Sequence, residues 1–148
     1  MTGRHRPRRR RDERGAAAVE LTLLVPALVL LLGLMVAGGR VWFARATVGE
    51  AAQTGARAAS LARSAGAARD DGADAARQSL ATRGLACADT DVRIGTGGFG
   101  VEVGTPASVS AEVVCAVRLA DVALPGLPGT LRIRAERSSA LDSFRSRR

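Results

Sequence analysis

An uninterrupted apolar run constrains this chain more than any other feature. No residue from Leu21 to Gly39 is charged; Glu20 opens the run and Arg40 closes it. Twelve of these 19 residues are Leu, Val or Met. A helix of that length spans roughly 28 Å, close to the hydrocarbon thickness of a bilayer. On the insertion scale the apolar side chains contribute roughly −4 to −6 kcal/mol. Glu20 opposes this from the edge of the run, where an acid costs less than the roughly 3 kcal/mol of a mid-bilayer position. The sequence predicts a transmembrane helix over residues 16–40.

Charge sets its orientation. All 22 basic residues are Arg, and seven of them lie in residues 1–15 against Asp12 and Glu13, a net of +5. Without that leader the formal charge falls from +8 to +3. Arginines abutting an apolar span hold that end in the cytoplasm, so the expected topology is N-terminus inside and C-terminal domain outside. The same placement argues against a nucleic-acid-binding arm. The apolar core exceeds the roughly 7–15 residues of a Sec signal peptide, and the acids between the arginines and the core fit a twin-arginine signal poorly. An uncleaved signal anchor remains as the alternative.

Glu20 lies at the lip of the apolar helix, five residues after Gly15. A carboxylate there usually has a partner or a task. Cleavage after Gly15 would make Ala16 a free α-amine, one helical turn from Glu20 on the same chain or a neighbour, and each group would neutralise the other where water is scarce. The alternative is an acid favoured by the helix dipole and exposed to headgroups.

The arrangement of basic leader, Gly15, four small or aliphatic residues, Glu20 and a Leu-rich helix resembles the signal of type IV prepilins and pseudopilins. The wording Arg14-Gly15-Ala16-Ala17-Ala18-Val19-Glu20, then Leu24-Val25-Pro26 and Gly39-Arg40, resembles the TadE family of the tight-adherence (Tad) pilus system. The tail is similar to actinobacterial TadE-like proteins through Cys115-Ala116-Val117-Arg118-Leu119 and Leu124-Pro125-Gly126-Leu127-Pro128-Gly129. The resemblance implies cleavage between Gly15 and Ala16 by a prepilin peptidase, and a role in pilus biogenesis beside other Tad pilus components at the cell surface. Leu21 departs from the pattern, since many relatives carry an aromatic residue after the glutamate.

Beyond the apolar run the helix is expected to continue over 41–64. Val41, Ala44, Val48, Ala51, Gly55, Ala58 and Ala62 recur at steps of three and four, while Arg45, Glu50, Gln53, Arg57 and Arg63 avoid that stripe. A helix from Ala17 to Ser64 would resemble the long N-terminal helix of pilin-like subunits. Pro26 removes one backbone donor and predicts a local loosening. Gly33 and Ala37 form a small-xxx-small pair, and Trp42 and Phe43 fall where an interfacial aromatic belt would lie.

Residues 65–148 predict a small α+β domain. Gly66 and Asp70-Asp71-Gly72 break the helical pattern, and a short helix follows over 71–83, with Ala73, Ala76 and Leu80 on one face and Gly84 as its cap. The acids there lack the glycine and terminal glutamate of a calcium loop. Strands are expected over 92–94 and 99–103, separated by Gly95-Thr96-Gly97-Gly98, and over 108–119. A last strand carries Leu131, Ile133 and Ala135 on one face. The fold class is thus α+β and pilin-like: a long N-terminal helix whose first half is transmembrane, a short helix and a small antiparallel sheet.

No catalytic constellation is visible. The single histidine, His5, lies in the leader, tyrosine is absent, and neither cysteine has a histidine nearby. We expect no enzyme, cofactor, metal or small-molecule substrate. Two functions remain: a pseudopilin that packs in or primes a filament through its N-terminal helix, or an uncleaved single-pass membrane protein with an extracytoplasmic binding domain. Topology places Cys87 and Cys115 outside the cytoplasm, where a disulfide between them would persist. Closing that loop stabilises by roughly 3 kcal/mol on the chain-entropy model; two buried thiols are the alternative.

Overall fold

The structure, a computed structural model, describes residues 10–122 and 128–144. Its elements are α1 (Arg10–Leu61), α2 (Ala65–Thr82), β1 (Asp89–Gly95), a 3-10 turn (Gly97–Gly100), β2 (Ser108–Arg118), the one-turn helix α3 (Leu119–Val122) and β3 (Thr130–Ala140). The class is α+β, with a long apolar N-terminal helix, a further helix and a three-stranded antiparallel sheet. The chain divides into two compact units, Met1–Val36 and Ala37–Arg148.

The first unit is the apolar part of α1. Its Leu- and Ala-rich sequence favours a helix, and the helix runs through Pro26 without interruption. Proline's missing donor removes one backbone bond there, and the turns on either side carry the helix past it.

The second unit is built on the remainder of α1, from Ala37 to Leu61. Ala44, Val48, Ala51 and Gly55 are buried and Val41, Ala58 and Ala62 half-buried, while Arg45, Glu50, Arg57 and Arg63 are exposed. The buried stripe is wider than its small-residue repeat, because Thr47, Gly49, Ala52, Ala56 and Ala59 are buried as well. The helix has two partners. A side chain at Gly55 would touch both Ala76 of α2 and Ala111 of β2. Thr47 is tolerated inside because its hydroxyl donates to the Phe43 carbonyl at 3.0 Å. The helix ends at Leu61 rather than Ser64, since Ser64 caps the next helix, its Oγ accepting from the Ala67 N–H at 3.3 Å.

Helix α2 therefore begins at Ala65, six residues before the expected start at Asp71. Gly66 and Asp70-Asp71-Gly72 are helical, and Gly72 is buried with Ala68, Ala76 and Leu80. The glycine that reads as a breaker is instead a point of close packing. Gly84, at φ +69°, ends the helix in the left-handed conformation that glycine adopts without strain. Its N–H reaches the Ala81 carbonyl at 3.0 Å, and that of Leu85 the Leu80 carbonyl at 3.3 Å.

The sheet has the order β1-β2-β3, antiparallel throughout. Val109, Ala111, Val113, Cys115 and Val117 of β2 are buried on the helix-covered face. β2 ends at Arg118, and Leu119 opens α3. The strand expected over 99–103 is absent: Gly97–Gly100 turn tightly and Phe99 swings inward. The turn lies so close to β2 that a Cβ at Gly98 would overlap the Ser108 carbonyl oxygen, and glycine is required.

Among the described residues, two clusters form the core. The first joins Ala44, Val48, Ala51 and Ala52 of α1 to Ala76 and Leu80 of α2 and to Val113, Cys115, Val117 and Ile133 of the sheet. The second gathers Ala59, Ala68, Phe99, Val109 and Leu141. Phe99 supplies the largest side chain of this cluster, beside Leu141, Val109 and two alanines.

Candidate functional site

The residues that the sequence nominates for cleavage and assembly lie along α1. Gly15, Ala16 and Glu20 fall within its first turns. The backbone is helical there, and the side chains of residues 10–20 lie outside those described. The geometry of an Ala16–Glu20 pair is thus not among the described contacts. Residues 1–9, with most of the basic leader, and residues 123–127, with most of the Pro- and Gly-rich tail motif, also lie outside the described residues.

From Leu21 onward α1 presents bare hydrocarbon. Leu30 is 76% exposed, Leu34 71% and Met35 67%, and a Cβ at Gly33 would meet nothing within 4 Å. Water does not tolerate a contiguous apolar surface of this length on a stable monomer. The helix is long and apolar enough to cross a membrane. Just past Arg40, Trp42 is 72% exposed and Phe43 51%, side chains suited to the boundary between hydrocarbon and headgroups. Four residues later the same helix carries the fully buried Thr47 and Val48. The exposed and buried stretches of α1 meet within about one turn.

The family model described as TadE-like protein matches residues 15–57. Over this segment the chain is similar to TadE-like proteins. No curated protein and no solved structure matches the chain. The TadE-like segment opens on Gly15, takes in Glu20 and the whole apolar run, and ends two residues beyond Gly55 in the buried stretch of α1. It therefore covers both the exposed apolar part of the helix and most of the part that organises the core. The matched segment also contains the helix that, among the described residues, is long and apolar enough to cross a membrane.

Outside the TadE-like segment, Cys87 and Cys115 are joined by a disulfide with a Cα–Cα distance of 5.4 Å. Cys87 sits in the connection from α2 to β1, and Cys115 is fully buried in the first core cluster. The bridge ties the end of α2 to the central strand, beside a helix whose alanines bury little area each.

Two features escape a reading of the sequence. One is the Gly55–Gly72 crossing of α1 and α2, which brings together residues of different helices without any local pattern. The other is the charge on the outer face of the sheet, which becomes visible only once the strand register is known.

Proposed function

We propose that this chain is a minor pilin or pseudopilin of a Tad-type pilus, anchored in the cytoplasmic membrane and cleaved after Gly15 by a prepilin peptidase. The observation that carries the reading is the TadE-like match beginning at Gly15 and running through a helix whose apolar side chains are exposed. Cleavage removes the arginine-rich leader and leaves Ala16 as a cationic terminus one turn before Glu20. Pairing of the two groups, within one chain or between neighbours, sets the axial register of packed helices in the assembling pilus. The leader holds residues 1–15 in the cytoplasm, and residues 65–148 lie outside. The Cys87–Cys115 bridge supports that topology, because disulfides persist in oxidising compartments.

The N-terminus of the mature protein tests the proposal. Mass spectrometry of the membrane fraction, from cells with an active prepilin peptidase, should find a chain beginning at Ala16. Gly15→Trp should leave the precursor intact. A full-length N-terminus in such cells would favour the uncleaved single-pass protein with an extracytoplasmic binding domain.

A further inference from the structure

The outer face of the sheet carries an antisymmetric pattern of charge. Strand register places Asp89 of β1 and Arg132 of β3 on either side of Ala116, Asp91 and Arg134 on either side of Val114, and Arg93 and Glu136 on either side of Glu112. Residues directly opposite in a ladder point to the same face, so each row holds one sign on β1 and the other on β3. All six flanking side chains are exposed. Asp89 and Arg132 form no ion pair among the described residues, whereas Asp91 is bridged to Arg93 at 2.9 Å and Arg134 to Glu112 at 3.0 Å.

From this pattern we infer that the outer sheet face is a homodimer interface, with a second copy of this chain as its occupant. A two-fold axis parallel to β2 and midway between the two facing sheets sets β1 of one copy over β3 of the other, row by row. Asp89 then meets Arg132, Asp91 meets Arg134 and Arg93 meets Glu136, each pair occurring twice. The half-buried Val114 faces the axis and brings apolar surface to the centre, beside Ala116, which is already buried within the chain. The Glu112 carboxylates also approach the axis, each neutralised by its own Arg134. The other in-plane axis, perpendicular to the strands, puts Asp91 against Asp91 and Arg134 against Arg134 when it passes through the Val114 row; moved half a repeat toward Glu112 it pairs Asp91 with Arg93 and Arg134 with Glu136 but leaves Asp89 and Arg132 opposite the neutral Gly95 and Ser138. Only the first axis makes every flanking contact complementary, and such complementarity fixes register and suppresses wrong pairings.

The axis also suits anchored subunits. Gly49 of α1 lies 3.5 Å from Arg137 through its would-be Cβ, and Ser60 bonds Ser139 at 3.1 Å, so α1 runs along the strands. Its Ala44 end belongs with Val117 in the first cluster and its Ala59 end with Val109 in the second. A two-fold along the strands therefore leaves both α1 segments emerging at the same end of the dimer, where one bilayer can hold both. The perpendicular axis would send them to opposite ends. This interface is isologous and closed, and it does not depend on cleavage after Gly15.

Sedimentation of the full chain in density-matched detergent micelles tests it, with Asp89→Arg, Arg132→Asp and the double variant. These two positions are chosen because neither breaks an ion pair within the described chain. The wild type should dimerise, more weakly in high salt, and each single reversal should weaken dimerisation about tenfold by setting two like-charge pairs face to face. The double variant restores opposite signs across the axis and should recover dimerisation. Circular dichroism and intact disulfide content show that each variant is folded. A wild type that stays monomeric at low salt would overturn the inference, as would a dimer unmoved by either single reversal or a double variant no better than the singles.

Discussion

Gly55 and Gly72 are the contact point of α1 and α2. A Cβ on Gly55 would stand 2.9 Å from the Gly72 carbonyl oxygen, and a Cβ on Gly72 would stand 3.0 Å from that of Gly55. Neither neighbour can give way easily, because both are backbone. The close approach lets two helices faced with alanine pack tightly enough to gain dispersion contacts that their small side chains would otherwise forfeit.

The sign of a Gly→Ala substitution should therefore depend on position. In a helix interior, alanine is favoured over glycine by about 1 kcal/mol. At Gly66 of α2 nothing lies within 4 Å of the added methyl, so Gly66→Ala should stabilise by a few tenths to about 1 kcal/mol. At Gly55 the overpacking penalty of about 1–3 kcal/mol should exceed the propensity gain. Urea denaturation of the two variants in micelles should give midpoints displaced in opposite directions.

That crossing marks the limit of what the sequence makes legible. Burial repeating at three and four residues revealed the outer part of α1, and alternation revealed β2, because each pattern is a local record of one covered face. Asp70-Asp71-Gly72 misled for the converse reason. Aspartate and glycine disfavour helices locally, but α1 selects Gly72 through space, and the sequence near residue 72 does not carry that information. Phe99 is similar. Its neighbours Gly98, Gly100 and Val101 suit a strand and a turn comparably, and the choice is made by an apolar gap beside Ala59 and Val109. Of the features on which the proposed function rests, the apolar run, Gly15 and Glu20 are written in contiguous residues. The charge rows of the sheet depend on pairing between three separate strands.

Phe99 should accordingly be a stability determinant out of proportion to its place in a loop. It is the only aromatic residue in the second cluster. Phe99→Ala should cost about 3–5 kcal/mol, as for other buried aromatic truncations. Phe99→Leu should recover most of that loss. Denaturant midpoints for the pair would separate a packing role from mere surface coverage; equal small losses for both would show that the side chain is not part of the core.

The disulfide closes a loop of 28 residues in sequence separation, which on the chain-entropy model corresponds to about 3–4 kcal/mol. Replacing both cysteines by alanine should lower the unfolding free energy by a comparable amount, with a further loss from the cavity left at the buried Cys115. Cys115→Val with Cys87→Ala refills that space and isolates the cross-link itself. Thiol labelling of the denatured, unreduced wild-type chain from membranes should find no reactive cysteine. Two per chain would mean that no bridge forms in the cell, and would remove the support that the bridge lends to an outside domain.

Glu20 provides the sharpest test of assembly, because its substitution can separate insertion from function. Glu20→Gln keeps the size and polarity of the side chain and removes its charge, and a neutral residue at the edge of the apolar run should insert at least as readily. Gly15 and Ala16 are untouched, so processing should continue. If Glu20 neutralises the Ala16 amine in the assembled state, the variant leaves a cation without its counter-charge where water is scarce. Hydrogen bonds to charged groups contribute about 1.5–3 kcal/mol, so association should weaken by about tenfold or more. Co-purification of other pilus components with the variant should fall accordingly, while the amount of cleaved protein in the membrane stays constant. Equal yields for wild type and variant would assign Glu20 to the headgroup region, stabilised there by the helix dipole, and would require another source for the axial register.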